Sequence, residues 1–438
     1  MNHEQLVAKT KAYNLGSWAA QAAWQPISIA RGQGAIFWDA DGRRYLDWSS
    51  QAFNVNIGHG HPHVIAAIQR QAATLCSASP GLAHAPRARL GELLAEITPP
   101  HMRKSFFTLG GAEAVENALK IARLYTGRQK ILSRYRAYHG ATFAAMSAGG
   151  DPRRLANEPG VPWIVHIHDP YAYRSPLYRG RTPEEGDQAL VDQIAETIEF
   201  EGPDQIAGIL LEGYSGANGA IQGGETFWRG VQTLCHRYGI LLIVDEVLSG
   251  FGRTGRWFGI DHYPGLRPDI LALAKGLTSG YAPLGAVVVS DAIATFFEDH
   301  TLWAGLTLHA HPLSCAAAIA TIEVYRQEGL IERAALMGEA LAAGLADLAR
   351  RHACVGEARG VGLHHVLELV RDRETREPLS PFHRPLSPAM AAIAAALRGA
   401  GLYTVVRWNY LFSAPPLVIT ESQLAEGLDI LDRVLGGG

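Results

Sequence analysis

From about residue 85 onward the chain alternates short apolar runs with segments of helical period, and this alternation narrows the possible folds more than any other feature. Apolar runs lie at 104–108, 130–134, 206–212, 240–245 and 286–290. Between them, 90–97, 112–125, 189–200 and 226–238 place apolar residues at helical spacing, as Val115, Leu119 and Ala122 do. Short apolar strands separated by helices are what a mostly parallel sheet covered on both faces requires. The expectation is an α/β protein whose large domain spans 55–305.

The flanking segments have a different pattern. Residues 1–35 show little periodicity and read as a segment that packs on a neighbouring surface. Residues 35–46 (AIFWDADGRRYL) read as a β-hairpin turning at Asp41-Gly42. The Ala- and Leu-rich stretch 312–350 reads as one long helix leading out of the large domain. Beyond it lie strand candidates at 362–369 and 402–406, helices at 387–399 and 421–435, and a charged, proline-containing loop at 371–388. The expected division is an N-terminal segment 1–54 belonging to a small domain, the large domain 55–305, and a C-terminal part 306–438 completing a smaller α/β domain.

Two domains suit a length of 438 residues. A hydrophobic share of 47% and a charged share of 18% describe a globular chain able to bury a sizeable core. The net charge of −3 and the absence of a dense Lys/Arg run give no sign of an electrostatic nucleic-acid partner, and none is expected. Cys76, Cys235, Cys315 and Cys354 are scattered, which argues against a disulfide framework or a cysteine zinc site. With no apolar leader and no long apolar run, a cytoplasmic enzyme without membrane contact is the expected class. The segment 56–63 (NIGHGHPH) spaces three histidines by two, but its glycines and proline make a turn, and no acidic or cysteine ligand cluster accompanies it. No metal is expected.

Four segments carry chemistry. In 108–116 (TLGGAEAVE) a strand runs through Gly110-Gly111 directly into a helix. The segment is either an ordinary turn or an anion cradle, since glycines free the backbone amides and the helix start adds partial positive charge. Tyr138-His139 follows the strand at 130–134 and offers a flat surface for a heteroaromatic ring. In 241–255 (LLIVDEVLSGFGRTG) an apolar strand delivers Asp245 at its carboxyl end, where open α/β sheets bind ligands. A Walker B reading fails because the chain contains no GxxxxGK[ST]. In 271–287 (LALAKGLTSGYAPLGAV) Lys275 ends a buried run and meets backbone that can turn sharply. It is either a solvated loop lysine or a nucleophile. Taken in order, a phosphate cradle, an aromatic platform, a strand-end carboxylate and a lysine match the needs of pyridoxal 5′-phosphate.

With these motifs the chain resembles the class III aminotransferases, the ω-aminotransferase branch of the fold-type I pyridoxal-phosphate enzymes. The resemblance runs from about Gly34 to Leu435 and is most specific at 245–255 and 273–284. It implies that Lys275 is the Schiff-base lysine, Asp245 the partner of the pyridine nitrogen, and Val247 the packing residue under the ring. Tyr138 resembles the stacking aromatic, with His139 beside it at the cofactor, and Glu212 the residue supporting the aspartate network. The family usually carries Ser-Gly-Ser-Glu-Ala in its phosphate loop. Here Gly110-Gly111-Ala112-Glu113-Ala114 lacks both hydroxyls, so the phosphate depends more on the Gly111 and Ala112 amides. Thr307 resembles the threonine that reaches the phosphate of a neighbouring subunit, which implies a homodimer with shared active sites.

For the substrates, Arg407 resembles the family's carboxylate-binding arginine, a role its bidentate guanidinium suits; a generic surface salt bridge explains a single arginine equally well. Ala217 stands where the γ-aminobutyrate and ornithine branches place a glutamate, which favours enzymes that use pyruvate. Phe53 takes the place of a pocket aromatic, while Trp18 and Trp24 are more easily explained by packing. The implied reaction moves an amino group from an amine or ω-amino acid to an oxo-acid, pyruvate before 2-oxoglutarate. The alternatives are an aminomutase or epimerase of the same family and a non-catalytic protein on the same fold.

Overall fold

The computed structural model describes residues 1–437. Its centre is a seven-stranded sheet in the order Met102–Thr108, Gly285–Ser290, Ile270–Leu273, Leu241–Asp245, Ile206–Glu212, Lys130–Arg134, Ile164–Ile167. Gly285–Ser290 runs antiparallel to both of its neighbours, and the other pairings are parallel. The four strands from Gly285–Ser290 through Ile206–Glu212, both included, are buried at every residue. Alternate side chains serve opposite faces. Leu242, Val244, Leu271, Leu273, Ala286 and Val288 join one apolar core, and Leu241, Ile243, Ile270, Ala272, Val287 and Val289 join the other. Because both faces are covered, these strands read as unbroken apolar runs rather than alternating ones.

The covering helices have clear start and stop signals. Pro183–Glu201 begins with a capping box between Thr182 and Glu185 and has proline in its first turn. Gly111–Thr126 and Glu225–Tyr238 end at Gly127 (φ 68°) and Gly239 (φ 61°), left-handed positions that glycine adopts without a Cβ clash.

Two smaller sheets complete the fold. Ile29–Gln33, Ile36–Asp39 and Arg44–Asp47 form an antiparallel set, including the expected hairpin, and Arg44–Asp47 pairs in parallel with Leu402–Tyr403. Val355–Val361, His364–Asp372, Tyr410–Ser413 and Val406–Arg407 pair in that order, with Glu377–Pro378 added alongside His364–Asp372.

Three local expectations need correction. The stretch 312–350 is two helices, Pro312–Gln327 and Leu330–Arg351, because Gly329 takes a left-handed conformation (φ 57°) that ends helical hydrogen bonding. The strand expected at 402–406 is two strands in different sheets, since Leu402 and Tyr403 pair with Leu46 and Asp47 while Val406 and Arg407 pair with Leu411 and Tyr410. The first 35 residues contain a helix, His3–Tyr13, with a capping box of Asn2 and Gln5 but no buried residue. Without a buried face it leaves no apolar period to read.

Candidate active site

The parallel strands all release their chains at one edge of the sheet, where a cavity of about 540 Å³ opens. Gly111, Ala112, Tyr138, His139, Glu212, Asp245, Val247 and Lys275 line it, bringing together eight of the residues singled out from sequence. The pairings Glu212 with Asp245 and Asp245 with Ala272 bring the two carboxylates and the start of the lysine turn level with one another.

On one side lies the start of helix Gly111–Thr126. No side chain caps it, and Glu113 instead accepts a hydrogen bond from the Leu109 amide at 2.8 Å. Its first amides therefore lack a protein side-chain acceptor, an arrangement suited to an anion. Glycine is required at 111, because a Cβ there would lie 2.8 Å from Cγ1 of Val247.

At the centre Asp245 is 4% exposed. Its Oδ1 accepts the Val247 N–H at 2.9 Å, and its Oδ2 lies 2.7 Å from Nδ1 of His139. Nε2 of His139 lies 3.2 Å from the Ser133 hydroxyl, so the imidazole is fixed at both ends. Glu212 accepts hydrogen bonds from the Tyr138 amide at 3.2 Å, the Gly216 amide at 3.2 Å and the Ser215 hydroxyl at 3.3 Å. Burial pushes its carboxyl above the usual range, against the pull of Arg134 and His139. Glu212 thus ties two loops to the strand end that carries it.

Lys275 opens a tight 3₁₀ turn directly after Ile270–Leu273, with φ 42°. A left-handed conformation at a residue with a Cβ is strained by roughly 1–2 kcal/mol and persists only where its surroundings impose it. Here the Tyr325 hydroxyl donates to the Gly276 carbonyl at 2.8 Å, and a Cβ at Gly276 would meet Asn56 at 2.6 Å and Phe251 at 2.7 Å. Burial lowers the Lys275 ammonium to about 8; Asp245 and Glu212 oppose this, and Arg153 and Arg407 add to it. A lysine so shifted reaches its neutral form at modest cost.

The remaining predicted residues are placed less uniformly. Arg407 is half-buried and donates to the Ala217 carbonyl at 3.0 Å. Burial lowers it to about 10, with Arg153 contributing, and Asp151 and Tyr138 oppose. Phe53 packs against His364 and Phe412, each at 5.4 Å, while its neighbours Ala52 and Asn54 line the cavity. Thr307 is exposed in a turn, outside the lining of its own chain's cavity. Trp18 is 58% exposed and meets Tyr138 edge-on at 6.5 Å, whereas Trp24 packs on Gly16. His59, His61 and His63 diverge to three separate carboxylates, Asp47, Glu328 and Glu323.

The sequence reading missed Asp151 and Arg153. Arg153 sits with its guanidinium 3.6 Å from the Tyr138 ring centroid, held by Asp151, which is 2% exposed. The only local signal was Asp151-Pro152, a turn start that says nothing about which ring lies above it.

The fold and site together define a pyridoxal-phosphate transaminase. The family profile Aminotransferase class-III matches residues 18–435. A putrescine–pyruvate aminotransferase of Pseudomonas aeruginosa is 34% identical, covering 93% of this chain and 90% of the relative. A taurine–pyruvate aminotransferase of Rhodobacter capsulatus is 34% identical over 94% of this chain and 91% of the relative. Among solved structures, a taurine:2-oxoglutarate aminotransferase from Bifidobacterium kashiwanohense, in complex with PLP and glutamate, superposes with a TM-score of 0.95. It is 40% identical and covers 100% of this chain and 98% of that one. The chain belongs to the class III aminotransferases. Among the described residues no helix is long and apolar enough to cross a membrane.

Proposed function

We propose that this enzyme is an ω-aminotransferase that moves an amino group from an amine or ω-amino acid to an oxo-acid, with pyruvate as acceptor. The observation that carries the reading is one cavity at the strand ends shared by Lys275, the Asp245–His139 pair and the uncapped start of helix Gly111–Thr126. That arrangement fits pyridoxal 5′-phosphate. The helix start and the Gly111 and Ala112 amides would hold the phosphate, and Tyr138 and Val247 would contact the ring. Asp245, a buried carboxylate, would pair with the ring nitrogen and favour its protonated form. When bound, the cofactor supplies an aldehyde that captures amines and a ring that withdraws electrons from the bond being broken.

The chain's own residues do the rest. Lys275, neutral at modest cost, would accept the proton from the substrate carbon at Nζ and pass it on to the cofactor carbon within the same half-reaction, and the second half-reaction would run this transfer in the opposite sense. His139 holds Asp245 in one orientation, and Glu212 holds the Tyr138 loop against the same strand ends. Arg407 receives the carboxylate of the oxo-acid. Ala217 supports pyruvate, since it leaves no carboxylate at that position to neutralise Arg407. A second acceptor, 2-oxoglutarate, is supported by a second guanidinium, that of Arg153, close enough to Arg407 to disfavour its charged form. We also propose a homodimer in which Thr307 completes the partner's phosphate site. Its exposure beside Trp303, itself 73% exposed, supports this. The division into a cofactor domain at 55–305 and a smaller domain from 1–54 and 306–438 is supported by the pairing of Arg44–Asp47 with Leu402–Tyr403.

The test is incubation of the purified holoenzyme with an amine donor, with and without pyruvate or 2-oxoglutarate. Alanine formed only with pyruvate supports the reading. Glutamate formed only with 2-oxoglutarate moves it to the second acceptor. Isomerised or racemised donor without any oxo-acid replaces transfer with an aminomutase or epimerase.

A further inference from the structure

Arg253 is 0% exposed and takes no part in the chemistry just derived. We propose that Arg253 is a positioning residue for Lys275, imposing through Asn56 the turn that keeps the lysine amine enclosed in the cavity. This rests on the aminotransferase reading above and deepens it, because it names what fixes the lysine.

The first support is the set of partners. One terminal nitrogen of Arg253 donates to the Leu363 carbonyl at 2.9 Å and the Pro415 carbonyl at 2.7 Å. The other donates to the Ser50 hydroxyl at 3.0 Å and to Oδ1 of Asn56 at 2.9 Å. All four acceptors are neutral. Asp47 acts on the guanidinium only from beyond ion-pair distance, its Oδ2 being taken by His59 and Gln51. A buried cation without a counter-ion is costly, and burial pushes Arg253 down to about 10. What the planar fork supplies is geometry, since it ties three distant segments to the chain just past strand Leu241–Asp245.

The second support is orientation. A guanidinium only donates, so the Asn56 atom that meets it is the carbonyl oxygen. The amide nitrogen is thereby turned the other way, where it donates to the Phe251 carbonyl at 3.0 Å. It also lies under the lysine turn, so close that a Cβ at Gly276 would come within 2.6 Å of it. Arg253 thus sets which end of Asn56 faces that turn. The third support is strain. Ser50 (φ 47°), Phe251 (φ 59°), Lys275 (φ 42°) and Ser279 (φ 51°) are all left-handed, although none is glycine. Such backbone persists only where its surroundings over-determine it. Ser50 accepts from Arg253, Phe251 accepts from Asn56, and the Ser279 hydroxyl accepts the Ile57 amide at 2.9 Å. The strained residues therefore gather on one junction. Without it the turn keeps its bond from Tyr325 and loses its contact on the Asn56 side. Water then reaches the amine, and a lysine returned to water moves back toward its ordinary value.

The test is competitive acetylation of the cofactor-free protein over a range of pH, with Lys275 read by peptide mass spectrometry against the exposed Lys9. Wild-type Lys275 should reach half its maximal reactivity near its value of about 8. Asn56→Ala and Arg253→Lys should move that point up by about one unit, leaving about tenfold less neutral amine at about pH 7. Neither variant alters Asp245, Glu212, Arg153, Arg407 or His364, the titratable and charged groups around Lys275. Arg253→Lys also keeps its own charge, so the shift reports geometry. Ser50→Ala removes a different acceptor of Arg253 without touching Gly276, and should leave Lys275 where it is. In the holoenzyme, Asn56→Ala and Arg253→Lys should lower the maximal rate of the amine half-reaction by about tenfold with little change in half-saturation. Asn56→Ala decides the matter alone if Arg253→Lys does not fold, and an unchanged Lys275 in it would overturn the proposal. An equal shift in Ser50→Ala would overturn it too, because general loosening would then account for the effect. If Lys275 shifts as expected yet the wild-type holoenzyme transfers no amino group, the aminotransferase reading fails and the positioning role of Arg253 stands.

Discussion

Lys275→Met should make the cofactor-free protein more stable at neutral pH. Methionine keeps most of the stem and removes the ammonium. Lys275 sits at about 8 against its ordinary 10.5, a difference worth roughly 3 kcal/mol. Its side chain reaches the cavity, and solvent screening reduces the figure to roughly 2–3 kcal/mol. Below the folded-state value near 8 the lysine is protonated in both states, so the folded protein bears the whole cost. Between the two values the unfolded chain binds more protons, so wild-type stability rises with pH and the variant's advantage shrinks. Urea unfolding of both cofactor-free proteins at about pH 7 and about pH 10.5 should give an advantage of roughly 2–3 kcal/mol that disappears at the higher pH. A methionine variant less stable at neutral pH, or an advantage that does not change with pH, would refute the reasoning.

Asp245→Asn keeps the acceptor for the Val247 amide and removes the charge beside His139. The amine half-reaction, measured in single turnover, should slow by about 100- to 1,000-fold, or roughly 3–4 kcal/mol of barrier; a rate within about fivefold of wild type would remove Asp245 from the proposed role. Gly111→Ala would set a methyl 2.8 Å from Val247, and overpacking of about 1–3 kcal/mol should weaken cofactor binding. Val247→Ala in the same chain should recover part of that affinity in a cofactor titration, and no recovery would place the fault elsewhere.

How far the site could be read in advance followed from where each residue sits. Asp245, Glu212 and Lys275 lie at or just past the ends of strands that are buried throughout and apolar up to those residues. Those strands are recognisable locally, and a parallel sheet sends all their ends to one edge. Tyr138 and Gly111 follow their strands by a few residues, so they came with them. Arg153 did not. It sits in a short 3₁₀ turn, Pro152–Asn157, with no periodicity, and its approach to Tyr138 is set by the fold rather than by spacing. The same limit explains 402–406, a stretch of β-favouring residues that changes sheets partway along. It also explains Gly329, a single glycine in an otherwise helical period, which the pattern alone tolerates and the structure uses as a break.

Transfer of an amino group by way of Lys275 is the proposed reaction. The most direct measurement follows ¹⁵N from labelled β-alanine or taurine in the presence of unlabelled pyruvate and the holoenzyme. Labelled alanine, formed one for one with the donor's carbonyl product, is expected with wild type and none with Lys275→Ala. Labelled ammonia in place of labelled alanine, or undiminished transfer by the alanine variant, would contradict it.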